Sequence, residues 1–321
     1  MTDAWSLKLA LRSAADCWHA FFHAPSDARV CALVRITFAV LVLVNLAVLY
    51  PDLDHWFTAG GVLPAEASRE TASPYHWSLL WLLPDTPAAV HTCFWIAITS
   101  TVLLGLGLFP RLNALALFLW LISFQVRNTQ ITDGEDDVFK MIAFCLIWMP
   151  SGHCWSLDAL IRRWRQLEHE PLPTAIDHFA ATPAWGLRLL QIEIAFVLFS
   201  AGTIKLEGEP WLHGTALYYV ARLDDYFGRL PIPDWPFDTP GVIALLTWSV
   251  LAVELSVPIL IWFRETRRAC LLALLLFHLG NEWTMNLFLF HWIMLCGWLA
   301  FVTADDLNLL GLARSPPKAE T

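Results

Sequence analysis

The sequence predicts an all-α integral membrane protein, a bundle of about eight transmembrane helices with both termini on the cytoplasmic side and interfacial helices beside it. Three observations predict it. Hydrophobic residues make up 57% of the chain and charged residues 15%, well below the quarter usual in soluble domains. Apolar runs recur at the length that crosses about 30 Å of hydrocarbon as a helix. The basic residues alternate from loop to loop, as they do when cationic loops stay in the cytoplasm.

The expected spans are Val30–Tyr50, Pro87–Phe109, Leu112–Val126, Val138–Met149, Leu187–Ile204, Gly241–Phe263, Ala269–Trp283 and Leu287–Ala304. The third, fourth and seventh are short, so the count is good to about one helix. Arg12 and Arg29 precede the first span, and Arg111 lies between the second and third. Arg162, Arg163 and Arg165 follow the fourth, Arg264, Arg267 and Arg268 the sixth, and Arg314 and Lys318 the eighth. The alternate loops are acidic, with Arg69, Arg127, Arg222 and Arg229 as exceptions. This phase requires an even number of spans with both ends inside. A multi-pass protein of the cell's inner, cytoplasmic membrane follows.

Residues 1–28 have no cleavable signal pattern, so the first span is expected to serve as the insertion signal. Ala4–Phe22 reads as an amphipathic helix on the inner surface, and Trp155–Leu167 looks similar. Outside, Trp56–Pro64 and Tyr75–Pro84 suit a folded cap, while Leu206–Pro240 is expected to rest on the interface through its aromatics. The domain reading is a surface segment at 1–28, a transmembrane domain at 29–307 and a disordered tail at 308–321. The seven cysteines show no CxxC spacing and imply no disulfide framework. A net charge of −9 without a basic stripe argues against nucleic acid as a partner. The lipid bilayer is the partner the composition requires.

Ionisable groups inside a span cost roughly 2.5–3.5 kcal/mol on insertion scales and therefore draw attention. Lys205 ends the fifth span among the small residues Ser200, Ala201 and Gly202. Partly withdrawn from water, its amine could act as a general base. Equally, it could snorkel to the interface. Glu193 lies about 18 Å deeper in the same helix. Arg35, Glu193, Glu254 and His278 are expected in the inner half or middle of the bilayer. A buried Arg35–carboxylate pair is the simplest account of that network, with a proton relay as the alternative. Glu135, Asp136 and Asp137 open the fourth helix, where carboxylates cap free N–H groups. Lys140 is placed to pair with Asp136 at i+4, and the cluster could line a site mouth. His278 and Glu282 at i, i+4 with His291 later are too few ligands for a metal, so none is expected.

These residues resemble the membrane domain of vitamin K-dependent gamma-carboxylase and its bacterial relatives, the HTTM (horizontally transferred transmembrane) domain proteins. Gly202, Lys205 and Leu206 followed by Trp211 and Gly214 resemble that family's G-x-x-K-L…W-x-x-G segment. Trp155, Ser156 and Asp158 resemble its W-S-x-D element, and Glu254, Leu255 and Pro258 before Arg267 its E-L-x-x-P run. Phe277 and His278 with Asn281, Leu287 and Phe288 resemble its F-H…N…L-F stretch. Trp56–Pro64 is similar to a W-F/Y…G-x-L-P element of the bacterial members. The similarity covers about residues 30–303.

The resemblance implies an enzyme in which Lys205 deprotonates a reduced isoprenoid quinone of the vitamin K type at the extracytoplasmic face. Trp211, His213 and Asn281 would lie near the pocket, with the Glu135–Asp137 cluster and Lys140 at its mouth. In the carboxylase a histidine occupies the position of Glu135, and a large soluble domain follows the membrane part. The alternative is an accessory or maturation protein for a secreted peptide or a redox partner, since some HTTM relatives serve secreted peptides. No inverted repeat supports a transporter.

Overall fold

The computed structural model describes residues 2–167 and 182–311. Apart from a two-residue ladder pairing Pro25–Ser26 with Thr182–Pro183, its regular structure is helical, as expected. The chain forms two compact units, residues 1–190 with 302–321, and residues 191–301.

In the first unit α1 is a helix over Thr2–His23. Asp27 then caps α2 (Ala28–Leu49), accepting from the Arg29 amide at 2.9 Å and gripping the Arg29 guanidinium. Burial alone would raise the Asp27 carboxyl, but the Arg29 side chain, amide and charge hold it below the usual carboxylate range. Short helices α3 (Leu53–Phe57) and α4 (Ala65–Thr71) lead to α5 (Pro87–Leu106). Proline at the first helical position and the Thr86 cap start α5. Gly107, at φ 70°, ends it, and α6 (Pro110–Arg127) follows at once. A capping box between Asp133 and Asp136 opens α7 (Gly134–Trp148). Helices α2, α5, α6 and α7 pack around Phe38, Phe94, Leu117, Phe139 and Ile142, all fully buried.

The W-S-x-D element proves to be a latch. Gly107 comes so close to Ser156 and the Arg35 guanidinium that a side chain there would collide with both. Arg35 donates to the carbonyls of Ser151 and Trp155. The Phe109 amide donates to Asp158 at 3.2 Å, and Ser156 caps α8 (Leu157–Leu167) through the Ala159 amide at 3.0 Å. Arg35 therefore does not take the expected carboxylate. Backbone carbonyls in the connection between α7 and α8 accept its donors instead. Helix α8 exposes Leu160 and Trp164 beside its arginines, as a surface-lying helix does.

Arg127, one of the exceptions to the loop charge pattern, is 1% exposed. It donates to Leu63 O (2.7 Å), Phe57 O (3.0 Å) and Asp85 Oδ1 (3.1 Å), pinning the cap formed by residues 53–86. The other three exceptions are also tied locally: Arg69 to Trp81 O, Arg222 to Asp238 and Arg229 to Glu282.

The second unit holds most of α9 (Trp185–Lys205), then α10 (Glu209–Leu212), α11 (Ala216–Val220) and α12 (Trp235–Asp238). After them come α13 (Pro240–Leu260), α14 (Arg267–Thr284) and α15 (Phe290–Trp298), with a 3-10 turn to Phe301. The chain then re-enters the first unit as α16 (Ala304–Leu309). Asn308 there accepts from Arg29 at 3.1 Å, so the expected tail begins later than 308. Residues 312–321 of that tail lie outside the described residues.

Each of the eight expected spans coincides with a helix. Among the described residues, four stretches are long and apolar enough to cross a membrane: Ala28–Phe57, α5, α9 and α13. Only 33–44% of each is buried in the protein, and the remaining apolar face suits lipid. The nine residues of α15 measure about 14 Å, half of a hydrocarbon core. Helix α7 is 15 residues long and opens on three carboxylates.

Candidate functional site

Lys205 closes α9, and its Nζ lies 2.7 Å from Glu254 Oε1 on α13. Glu254 is 4% exposed, whereas a quarter of the lysine side chain remains open. Gly202, one turn before Lys205, makes this meeting possible. A Cβ there would lie 2.9 Å from Leu255 and 3.0 Å from Glu254. Only glycine lets α9 come so near α13. Pro258 has no N–H to give the Glu254 carbonyl, so the α13 backbone is loosened beside the pair. The indole of Trp211 lies 5.3 Å from Lys205 Nζ, within cation–π range. The second carboxylate oxygen, Glu254 Oε2, is buried and has no hydrogen-bond partner.

The site lies well along α13 from its first residue. Glu254 stands 14 residues beyond Pro240, about 21 Å along α13. Beyond Lys205 the chain stays beside α13 as the broken pieces α10 and α11. Leu217 N donates to Thr247 Oγ1 (3.3 Å) and Trp248 Nε1 to Leu212 O (3.4 Å). Gly214, at φ 70°, touches Ala244 and Trp248 so closely that a Cβ would clash. Thus the first part of Leu206–Pro240 packs along α13. The G-x-x-K-L…W-x-x-G pattern has a physical reading: two glycines for close approach, a lysine, and an indole beneath it.

The other expected residues distribute differently. Glu193 is half-buried on α9, about 18 Å from Lys205 along the helix. His213 is an exposed C-cap whose amide donates to Glu209 O at 2.9 Å. The Asn281 carbonyl accepts the Met285 amide (2.7 Å) where α14 ends. Glu135, Asp136, Asp137 and Lys140 form a cluster in the first unit. Asp136 is occupied by its capping box and by Gln125 Nε2 at 3.1 Å. Lys140 therefore pairs with Asp137 at 2.7 Å, one residue nearer than expected. Glu135 is buried at the start of α7. His278 meets His291 (Nδ1 to Nδ1, 3.3 Å), while Glu282 takes Arg229. Among the described residues no three His, Cys, Asp or Glu side chains converge as a metal cage. Sequence reasoning missed the Lys205–Glu254 contact. The available signal was Gly202, three residues before the lysine and so on its face.

Residues 23–305 match the HTTM domain family model. The chain belongs to the HTTM family. Among its relatives is the uncharacterized protein YitO of Bacillus subtilis strain 168, 24% identical over 237 residues, 70% of this chain and 69% of YitO. Another is the sporulation-delaying protein SdpB of the same organism, 22% identical over 226 residues, 67% of this chain and 65% of SdpB. No solved structure matches the chain. The HTTM match spans both units, and with the apolar helices it marks a membrane protein.

Proposed function

We propose that this HTTM protein handles a proton for a lipid-soluble acidic ligand at Lys205, as a gamma-carboxylase-like protein of the inner membrane. The observation that carries this is the Lys205–Glu254 pair set about 21 Å along a helix long enough to span a bilayer. A charged pair at such depth is costly to keep and rarely without a role. In a dehydrated site the ammonium can pass its proton to Glu254, leaving a neutral amine and a neutral acid. Glu254 Oε1, which already accepts the Nζ hydrogen bond, receives it, and Oε2 stays buried without a partner. The amine at Nζ can then take a proton from a bound ligand. Trp211 covers the amine from one side and favours its return to the charged form.

A reduced isoprenoid quinone fits these residues. Its ring hydroxyl would meet Nζ, and its tail would leave between helices whose outer faces are apolar. When bound, it would supply an acidic hydroxyl and reducing equivalents. The expected orientation, with both termini inside and eight crossings, is part of this proposal. Reporter fusions at Thr132, Asp225 and Asn308 test it. The chemical test is Lys205→Ala with folding verified. Turnover or binding of reduced quinone is expected to be lost, and full retention would overturn the proposal.

The similarity to SdpB favours a second reading, because that protein's name ties it to a cellular programme and not to a reaction. In that reading the exposed aromatics Tyr218, Tyr219, Tyr226 and Trp235 bind a secreted peptide or partner protein. Stoichiometric co-purification with such a partner, with full function of Lys205→Ala, would select it.

A further inference from the structure

His278 on α14 and His291 on α15 are 1% and 3% exposed, and their Nδ1 atoms lie 3.3 Å apart. A neutral imidazole carries one N–H. For Nδ1 to bond Nδ1, one ring holds its proton there and leaves its Nε2 bare. The other is bare at Nδ1 and protonated at Nε2. The pair therefore offers an acceptor at one end and a donor at the other. Both Nε2 atoms are buried with no partner on the protein. Buried polar atoms in a purely structural pair are normally satisfied.

Glu282 is one turn further along α14, on the same face as His278. Residues so spaced have Cβ atoms about 5–6 Å apart. Its Oε1 is bound by Arg229, while Oε2 is buried and unpartnered. Arg229 is held there by design of the backbone. Gly228 N donates to Thr284 O and Asn286 N to Tyr226 O, each at 2.8 Å, clamping residues 226–229 to the end of α14. Arg229 itself is partly open to the surroundings.

We propose that the His278–His291 pair is a reversible proton shuttle, with the Glu282 carboxylate and its Arg229 partner as the mouth through which it exchanges protons with water. A proton arriving at the bare Nε2 makes that ring cationic. Its Nδ1 proton crosses to the other ring, whose Nε2 proton then passes to a water molecule. One proton enters and one leaves, and nothing is oxidised or reduced. Afterwards both tautomers are reversed, so the next proton runs the opposite way. The site stands on different residues from the Lys205 pair.

Ring-15N histidine spectra of the full chain in lipid nanodiscs test the shuttle, with assignments from His291→Asn. Both Nδ1 signals should lie between the bare and protonated values, with a scalar coupling between them through the hydrogen bond. Glu282→Gln, which leaves both histidines in place, should slow the exchange and split the averaged signals. Two fixed Nε2–H rings without coupling would overturn the proposal. So would averaged signals unchanged by Glu282→Gln, or signals that lock on one equivalent of Zn²⁺ as a metal site would. Lys205→Met should leave these spectra as they are, so failure of the quinone reading is distinguishable from failure of the shuttle.

Discussion

Replacing Lys205 by Met and Glu254 by Gln, singly and together, measures what the pair contributes. At 2.7 Å and an effective dielectric near 20, the attraction is about 6 kcal/mol. Burying Glu254 costs several kcal/mol, and the quarter-open lysine is partly screened. The net coupling should then be about 1–3 kcal/mol. Lys205→Met alone leaves a buried carboxylate unpaired and should destabilise by about 3 kcal/mol, at the lower end for a broken buried pair. Glu254→Gln should cost less, because the lysine has an open side toward which it can turn. The double variant should recover part of the loss. The assay is unfolding in a fixed detergent, followed for all four proteins. Additivity within about 0.3 kcal/mol would refute the pair as an energetic unit.

Three further outcomes follow from the same geometry. Gly202→Val should force α9 from α13 and cost about 1–3 kcal/mol, lowering the unfolding midpoint and reproducing the functional loss of a Lys205 variant. Arg127→Met leaves Asp85 unpaired under the cap. A loss of about 3–5 kcal/mol and faster proteolytic cleavage within residues 58–86 are expected. Asp27, whose carboxyl is held low in the fold, stabilises above its unfolded pKa near 3.9 and loses that contribution as pH falls through the folded value. Stability measured between pH 6 and pH 3 should therefore fall less steeply in Asp27→Asn than in the parent, although that variant keeps only part of the cap.

The apolar runs placed the helices well because length and hydropathy act locally. They could not say how far each helix reaches past its neighbour. Taking the fifth and sixth spans to end at one outer plane put Glu254 far below Lys205. In the fold α9 stops beside residue 254 of α13, and the two groups meet. Arg35 was legible as a buried charge, but its acceptors are carbonyls of the connection between α7 and α8, which no side-chain pattern announces. The spacing of His278 and Glu282 correctly put both on one face. Their partners, His291 and Arg229, come from elements that helical periodicity does not position. The glycines were more informative than the charges. Gly107, Gly202 and Gly214 each mark a contact too close for a side chain, and the last two sit inside the G-x-x-K-L…W-x-x-G segment.

The most direct measurement is cross-linking with a photoreactive isoprenoid hydroquinone in reconstituted membranes, followed by mapping of the labelled peptides. Label is predicted on residues 198–214 and 247–258, competed by unmodified hydroquinone and reduced at least tenfold in Lys205→Met. Uniform label over the lipid-facing helices, indifferent to competitor and to that substitution, would contradict a ligand site at Lys205.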